Sequence, residues 1–333
     1  APFPQEYGGL GLDPIYYGLF TELFGKACTA TRSLLTVHSS LVGETLLRFG
    51  TAEQIATWLP QLAQGTKIAA FALSEPDIGS DAKNIKTTWH EEGDYYVLNG
   101  AKKWITFGHI ADVFIIIASN QGKSTAFIVE RAFPGLETKR VEGLMAGRAT
   151  YLAEIQLQNV KVPKGNVLGR LNHGFSYVVS TALDFGRYSI AWAGVGIAQE
   201  ALDAMVTYSR KRKQFNQTLR NFQLIRGMIG DAVTKVHAAR ALCLRAGELR
   251  IQKNLDASVE TSMAKYFASK VAVAVANDAL QVHGANGFTN KYPVERLYRE
   301  AKVLEIIEGS SQIQQEIISS FGLKRYYKRP TAS

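Results

Sequence analysis

The spacing of hydrophobic residues changes twice along this chain of 333 residues. Over about 14–64, apolar side chains recur at helical spacing, with a break at Gly50 and a capped restart at Thr51. Over 67–168 the apolar residues form short runs separated by turn residues, which is typical of strands. After Gly174 helical spacing returns. The chain therefore predicts a β-rich middle between two helical regions.

Five apolar runs in the middle region predict strands. The last of them alternates apolar and polar residues, which is the mark of a strand with one wet face. The runs are 69–73, 95–98, 113–118, 125–129 and 153–160.

Four long helical segments are predicted after Gly174. Residues 190–202 are small or apolar on nearly every face, which indicates close packing against other helices. An antiparallel four-helix bundle is the simplest way to bury the four segments, which are 175–212, 221–252, 258–285 and 294–321.

The charge balance is basic, with 38 Lys and Arg against 29 Asp and Glu, a formal net charge of +9 and a pI near 9.4. This favours acidic partners. A nucleic-acid protein ranks low because no recognition motif appears and the cations are not interleaved with aromatics along one face. The basic tail at 326–333 is interpreted first as a solvated terminus and second as a docking patch.

Cys28 and Cys243 are far apart and lack metal-ligand spacing, which argues for a reducing compartment, no disulfide and no metal site. No apolar run approaches the roughly 18–20 residues that a membrane span needs, and the first residues do not resemble a leader peptide. A cytoplasmic protein without membrane contact is therefore expected.

One carboxylate stands out near the end of the chain. An apolar helical stretch is predicted to end on Glu308, to turn through Gly309 and to restart with a capping box formed by Ser311 and Gln314. A carboxylate with apolar neighbours at such a break is a candidate proton-abstracting base. The alternative is a helix end whose Glu308 simply meets water.

Five motifs in order resemble the acyl-CoA dehydrogenase superfamily, whose members use FAD to oxidise acyl thioesters. They are FALSEPDIGSD at 71–81, YYVLNGAKKWIT at 95–106, RKRKQF with NFQ at 210–223, QVHGANG at 281–287 and EIIEGSS at 305–311. The resemblance implies an α+β multidomain fold with an N-terminal helical domain at 1–66, a middle β-barrel domain at 67–170 and a C-terminal four-helix bundle at 171–325. Family members usually carry about two further helices before PQEYGGLGLD at 4–13, so the resemblance also implies an incomplete beginning.

The resemblance implies a FAD site as well. A flavin needs an apolar or aromatic wall, backbone and hydroxyl donors and positive charge. Trp104 and Thr106 are expected to share one strand face, although Trp104 could be an ordinary core aromatic and 210–213 a solvated helix end. The implied cofactor residues are Phe71, Leu73, Ser74, Gly79, Ser80, Trp104, Ile105, Thr106, Arg212, Gln214, Phe215, Gln223, Gln281, Gly284, Ala285, Ser310 and Gln312. Binding of the adenosine end across a subunit boundary implies a homodimer or homotetramer.

By the same resemblance, Glu308 takes the α-proton of the thioester while a hydride leaves the β-carbon for FAD. Arg187, Ser80 and Gly309 are the expected substrate contacts, and an ion pair with Asp184 is the alternative for Arg187. No nicotinamide-binding fingerprint is present.

The sequence at 184–196 is similar to a branch that acts on oxygenated acyl units held by an acyl carrier protein in polyketide extender-unit biosynthesis. This is the first functional prediction. A catabolic short-chain acyl-CoA dehydrogenase and a catalytically silent flavin-binding relative are the alternatives. The expected partners are a carrier protein or coenzyme A thioester and an electron acceptor such as an electron-transfer flavoprotein or oxygen.

Overall fold

The computed structural model describes residues 2–327, so most of the predicted basic tail, 328–333, lies outside the described residues. The chain divides into two compact units. One contains the residues up to Asp13 together with 28–189, and the other contains 14–27 together with the residues from Ile190 onward. The predicted domain boundaries at 66 and 170 remain predictions.

The predicted helices of the first region are present, and so is the cap at Thr51. Thr51 Oγ1 accepts a hydrogen bond from Gln54 N at 3.2 Å, and Gln54 Oε1 accepts one from Thr51 N at 3.0 Å. One segment of this region is not α-helical as predicted, because residues 35–43 form a π-helix. The elements are α1 (Pro14–Ala27), α2 (Thr29–Leu34), a π-helical segment (Leu35–Gly43), α3 (Glu44–Phe49) and α4 (Ala52–Gln64).

The middle region is a mixed sheet, in which all five predicted strands are present. The elements are β1 (Ala69–Ala72), β2 (Thr88–Glu92), β3 (Tyr95–Ile105), β4 (Val113–Asn120), β5 (Lys123–Glu130), β6 (Leu136–Arg140), β7 (Ala153–Pro163) and β8 (Val167–Leu168). The pairing follows the order β6-β7-β3-β2-β4-β5-β8, and β1 pairs in parallel with β4. β2 and β6 gave no apolar run because most of their residues are exposed or half-buried.

Strand β4 is buried on both faces, which explains why its sequence does not alternate. Val113, Ile115 and Ile117 pack into one core together with residues of the π-helical segment and α4. Phe114 and Ile116 pack into a second core on the other face of the sheet. β1 lies beside this strand, so the loop that follows β1 begins from a rigid support.

The C-terminal region is helical, as predicted, after a second π-helical segment at Phe175–Val179. The segment at 294–321 is two helices separated by 305–310, so the break predicted at Glu308 and Gly309 is present but begins earlier along the chain. The elements are α5 (Ser180–Lys211), β9 (Lys213–Gln214), β10 (Gln217–Thr218), α6 (Gln223–Ile251), α7 (Ala257–His283), α8 (Val294–Leu304) and α9 (Ser311–Arg325). Helix α5 runs through both units.

Helix α1 packs with the C-terminal helices in the second unit. Arg240 Nη2 of α6 donates a hydrogen bond to Glu22 Oε1 of α1 at 2.6 Å. The predicted close packing at 190–202 is also present, since a Cβ added at Gly196 would lie 2.5 Å from the Glu22 carbonyl oxygen. Among residues 2–327, no helix combines the length and the apolar character that crossing a membrane requires.

Candidate active site

Glu308 lies in the turn between α8 and α9 rather than at a helix end. Helix α8 stops at Leu304, four positions before the predicted end. Glu308 has a φ of 54° and Gly309 a φ of 87°, so two successive residues are left-handed. The Glu308 side chain is half-buried and its Oε2 atom is shielded from solvent. The alternative of a helix end at Glu308 is therefore wrong, and the role of Glu308 as a base remains a prediction.

The cap of α9 differs from the predicted capping box. Ser310, not Ser311, is the N-cap, and its Oγ accepts a hydrogen bond from Ile313 N at 3.4 Å. Gln314 does not reach back to the cap N–H. Its Nε2 donates to the Glu308 and Gly309 carbonyl oxygens at 3.1 and 3.0 Å. Lys265 Nζ of α7 donates to the same Gly309 oxygen at 2.7 Å.

The predicted flavin loop after β1 is fixed by a buried ion pair that the sequence did not reveal. Lys102 Nζ lies 2.8 Å from Glu75 Oε1 and donates to the Leu73 carbonyl oxygen at 3.0 Å. Glu75 also accepts hydrogen bonds from the N–H groups of Lys86 and Thr87, at 2.6 and 2.9 Å. The loop backbone is thereby tied both to β3 and to the segment that enters β2.

Burial and charge oppose each other in this pair. Burial lowers the pKa of Lys102 to about 8, although the neighbouring Glu75 carboxylate acts to raise it. Burial on its own raises the pKa of Glu75, but the charge and hydrogen bond of Lys102, with the bonds from Thr87 and Lys86, outweigh it and the net pKa is lowered. The lowered pKa of Glu75 and the 2.8 Å distance between Lys102 Nζ and Glu75 Oε1 both indicate a charged pair.

Trp104 and Thr106 do not share a strand face, which corrects the expectation. The pairing of β3 with β7 shifts between Lys102 and Ile105, so Trp104 is the extra residue of a β-bulge with a φ of 64°. Thr106 lies beyond the end of β3. The bulge turns the Trp104 ring outward, where it is 51% exposed, so Trp104 is not an ordinary core aromatic within this chain.

The other predicted flavin residues of this unit fall into two groups. Phe71, Leu73 and Ile105 are buried and form the support. Gly79 and Ser80 are exposed, and their backbone N–H groups donate no hydrogen bond to any described residue. Half-buried Ser74 lies between the groups, and its carbonyl oxygen accepts from Lys103 N at 2.9 Å. Open N–H donors and an exposed aromatic plane are the kinds of group that the phosphates and the ring of FAD require.

The predicted adenosine-binding residues lie in the second unit. Arg212, Gln214 and Phe215 are on or beside the β9–β10 hairpin, where Phe215 is 87% exposed and has a φ of 50°. Gln223 begins α6 and is also exposed. These side chains all face solvent in the single chain.

One cavity of about 600 Å³ brings Arg212 together with the end of α7. Its aromatic wall is a stack of Tyr208 on His283, with ring centroids 4.1 Å apart, and Tyr292 packs edge-on against Tyr208. Burial lowers the pKa of His283, despite the hydrogen bond between its Nδ1 and the Ala279 carbonyl oxygen. A neutral imidazole is therefore favoured beside the Arg212 guanidinium.

The remaining predicted site residues are spread over three elements. Gln281 is exposed near the end of α7, and Gly284 (φ 59°) and Ala285 follow it, also exposed. Ser310 and Gln312 flank the start of α9. Arg187 lies half-buried on α5.

Cys28 is exposed and Cys243 is buried, and burial raises the pKa of the Cys243 thiol, which makes it a poor nucleophile.

Comparison with known proteins adds three matching family profiles. They are the N-terminal, middle and C-terminal domains of acyl-CoA dehydrogenase, matched at residues 1–66, 70–160 and 172–323. Among curated relatives, the short-chain specific acyl-CoA dehydrogenase of Clostridium acetobutylicum is 39% identical over 96% of this chain and 85% of its own length. The CarC subunit of the caffeyl-CoA reductase-Etf complex of Acetobacterium woodii is 40% identical, over 97% and 86%.

Two solved structures illustrate the range of similar folds. Butyryl-CoA dehydrogenase from Megasphaera elsdenii superposes with a TM-score of 0.93 at 35% identity, covering 97% of this chain and 86% of that one. FkbI, for biosynthesis of the methoxymalonyl extender unit of a polyketide, superposes with a TM-score of 0.90 at 34% identity, covering 97% and 89%. With its three matched domains and its relatives aligned over nearly the whole length, this chain belongs to the acyl-CoA dehydrogenase family, a family of FAD-dependent oxidoreductases.

Proposed function

We propose that this protein interconverts a short-chain acyl-CoA and its α,β-unsaturated counterpart, with Glu308 as the group that takes or returns the α-proton. The observation that supports this most is the turn of Glu308, where a half-buried carboxyl group is held on a left-handed backbone. The Oε2 atom of this carboxyl group is shielded from bulk water, which suits a base that takes a proton from a bound substrate and returns it. The family and the matching EGSS string support the same role.

The remaining site residues are proposed in supporting roles. Negative charge develops on the thioester carbonyl oxygen when the α-proton leaves, and the Glu308 N–H is the proposed donor to it. The open N–H groups of Gly79 and Ser80, with the exposed Trp104 ring, are proposed to hold FAD, and Ser80 and Gly309 also to border the substrate. When bound, FAD supplies hydride chemistry at the β-carbon.

A coenzyme A thioester is the proposed substrate rather than an acyl carrier protein. The short-chain specific relative and the butyryl-CoA dehydrogenase structure both carry names of CoA enzymes, and they favour the second functional prediction over the first. FkbI is one similar structure among many and does not specify a carrier protein. Arg187 is proposed to contact the acyl part of the substrate.

An electron-transfer flavoprotein is the proposed redox partner, because the similar CarC protein is named as a subunit of a reductase-Etf complex.

A homo-oligomer is proposed as well. Arg212 and Phe215 stand exposed on the hairpin of the single chain, as residues that reach a neighbouring subunit's cofactor would.

Anaerobic mixing of the FAD-loaded protein with butyryl-CoA, butyryl-pantetheine and a butyryl carrier protein tests the proposal. Loss of the oxidised flavin absorbance is the measurement. We expect butyryl-CoA to reduce the flavin fastest. Faster reduction by the carrier protein would reverse the substrate assignment. Bound FAD that no thioester reduces would instead favour the catalytically silent relative.

A further inference from the structure

The turn that carries Glu308 adopts a conformation that its own sequence does not enforce. Glu308 has a φ of 54°, an uncommon region for a residue with a side chain, and Gly309 follows with a φ of 87°. Left-handed non-glycine residues persist where the surrounding structure over-determines them. The question is therefore which groups hold this turn.

Two side chains from different helices bind its main-chain oxygens. Lys265 on α7 donates to the Gly309 oxygen at 2.7 Å. Gln314 on α9 donates to the Gly309 oxygen at 3.0 Å and to the Glu308 oxygen at 3.1 Å. The Gly309 oxygen thus accepts from both helices, and the two peptide groups that flank the Gly309 Cα are fixed together.

Both donors are fully buried, and burying a charged or polar side chain costs desolvation free energy. Lys265 and Gln314 are each 0% exposed. Gln314 Oε1 is buried and accepts no hydrogen bond within the described residues, so this amide bonds to them through its N–H groups alone. An apolar residue would avoid that desolvation but would release the turn.

The same helices carry matched residues that make no hydrogen bond to Glu308 or Gly309. Lys270, five positions further along α7, has a half-exposed side chain whose Nζ lies 3.9 Å from Glu305. Gln315, next to Gln314, is exposed and donates to the Tyr266 hydroxyl at 3.1 Å. Substitution of Lys270 or Gln315 therefore measures the effect of losing a lysine or a glutamine from these helices without loss of a hydrogen bond to Glu308 or Gly309.

We propose that Lys265 and Gln314 are positioning residues for the acid–base step, acting through the backbone of the turn to aim the Glu308 carboxyl group and the Glu308 N–H. The inference rests on the proposed function, since it needs Glu308 to exchange a proton with the substrate. A displacement of about 1 Å at such a group costs roughly 10²-fold in rate. Loss of either donor is expected to affect the chemical step more than binding.

Stopped-flow reduction of the FAD-loaded protein by butyryl-CoA provides the test. Lys265→Met and Gln314→Met are each expected to lower the limiting rate of flavin reduction about 10²-fold, with FAD content and the substrate dissociation constant unchanged. Lys270→Met and Gln315→Met are the controls and should reduce at the wild-type rate. Gln314→Asn, which shortens the amide without removing it, provides a milder change should a Met variant not fold.

A second comparison distinguishes positioning from a general structural role. In a Glu308→Gln background, adding Lys265→Met or Gln314→Met should not slow flavin reduction further, because the group they aim is already absent. Folded Lys265 and Gln314 variants that reduce at the wild-type rate, or that slow the Glu308→Gln enzyme just as much, would overturn the inference. If the wild-type flavin is not reduced by any thioester, the proposed function itself fails instead.

Discussion

Two irregular segments of this chain are each held by a buried lysine, but in different ways. In the flavin loop, Lys102 binds the Leu73 carbonyl oxygen and also pairs with the Glu75 carboxylate at 2.8 Å. In the carboxylate turn, the bonds from Lys265 and Gln314 go to main-chain oxygens of Glu308 and Gly309. The flavin loop is proposed to offer only backbone N–H groups to its ligand. Its Glu75 side chain is therefore available to form the ion pair that holds the loop. The turn that displays the proposed base is held through its main chain.

The largest expected effect comes from breaking the ion pair of the flavin loop. Lys102→Met leaves the Glu75 carboxylate buried without its cation, which is expected to cost about 3–5 kcal/mol of the free energy of unfolding. Urea unfolding gives the measurement. Lys103→Met is the control, because Lys103 pairs with Glu154 at a partly exposed site and its loss should cost less than about 1 kcal/mol. Equal losses in the two variants would show that the buried pair does not hold the loop.

A smaller effect is expected from the backbone of the carboxylate turn. Gly309→Ala places a Cβ on a residue with a φ of 87° and is expected to destabilise by about 1–2 kcal/mol. Gly79→Ala in the flavin loop is the comparison, since a Cβ there would meet no atom within 4 Å and the φ is not left-handed. Urea unfolding of the FAD-free proteins should show little change or a slight gain for Gly79→Ala. A loss at Gly79 as large as at Gly309 would remove the contrast.

The smallest effect is the pH dependence of the stability that the ion pair of the flavin loop contributes. The pKa of Glu75 is lowered from its ordinary value of 4.5 because Lys102 and its hydrogen bonds outweigh burial. The unfolded chain therefore binds the proton first. The stability that the pair contributes is present above pH 4.5 and is lost as the pH falls through the folded pKa. The stability difference between the wild type and a Lys102→Met, Glu75→Gln double variant should shrink over that range, and a constant difference would contradict this.

The broad architecture follows from local pattern, because helical and strand spacing are properties of neighbouring residues. Thr51 with Gln54 and the apolar strand β4 are examples. β2 could not be found in this way, since four of its five residues are exposed. The wrong helix end in the carboxylate turn has a local cause. Ile306 and Ile307 continue the apolar spacing of α8 beyond its real end at Leu304, so the pattern alone extends the helix.

The groups that shape the site act over long sequence separations and leave no local signal. Lys265 is 44 positions from Gly309, and Lys102 is 27 positions from Glu75. The bulge at Trp104 depends on the register with β7. The local sequence pattern predicts that Gln314 belongs to a capping box. Its real acceptors depend on the conformation of the turn, which the pattern does not contain. Family motifs predicted the site residues, whereas the proposed positioning residues required the structure.

Exchange of the α-hydrogens of a thioester in deuterated water tests the central claim most directly, because it measures proton abstraction apart from hydride transfer. A butyryl-CoA analogue that cannot lose its β-hydrogen is incubated with the FAD-loaded wild type and with Glu308→Gln, and deuterium uptake is followed by mass spectrometry. We predict uptake with the wild type and none above the uncatalysed rate with the variant. Equal uptake by a Glu308→Gln protein that binds FAD normally would contradict the assignment of Glu308 as the base.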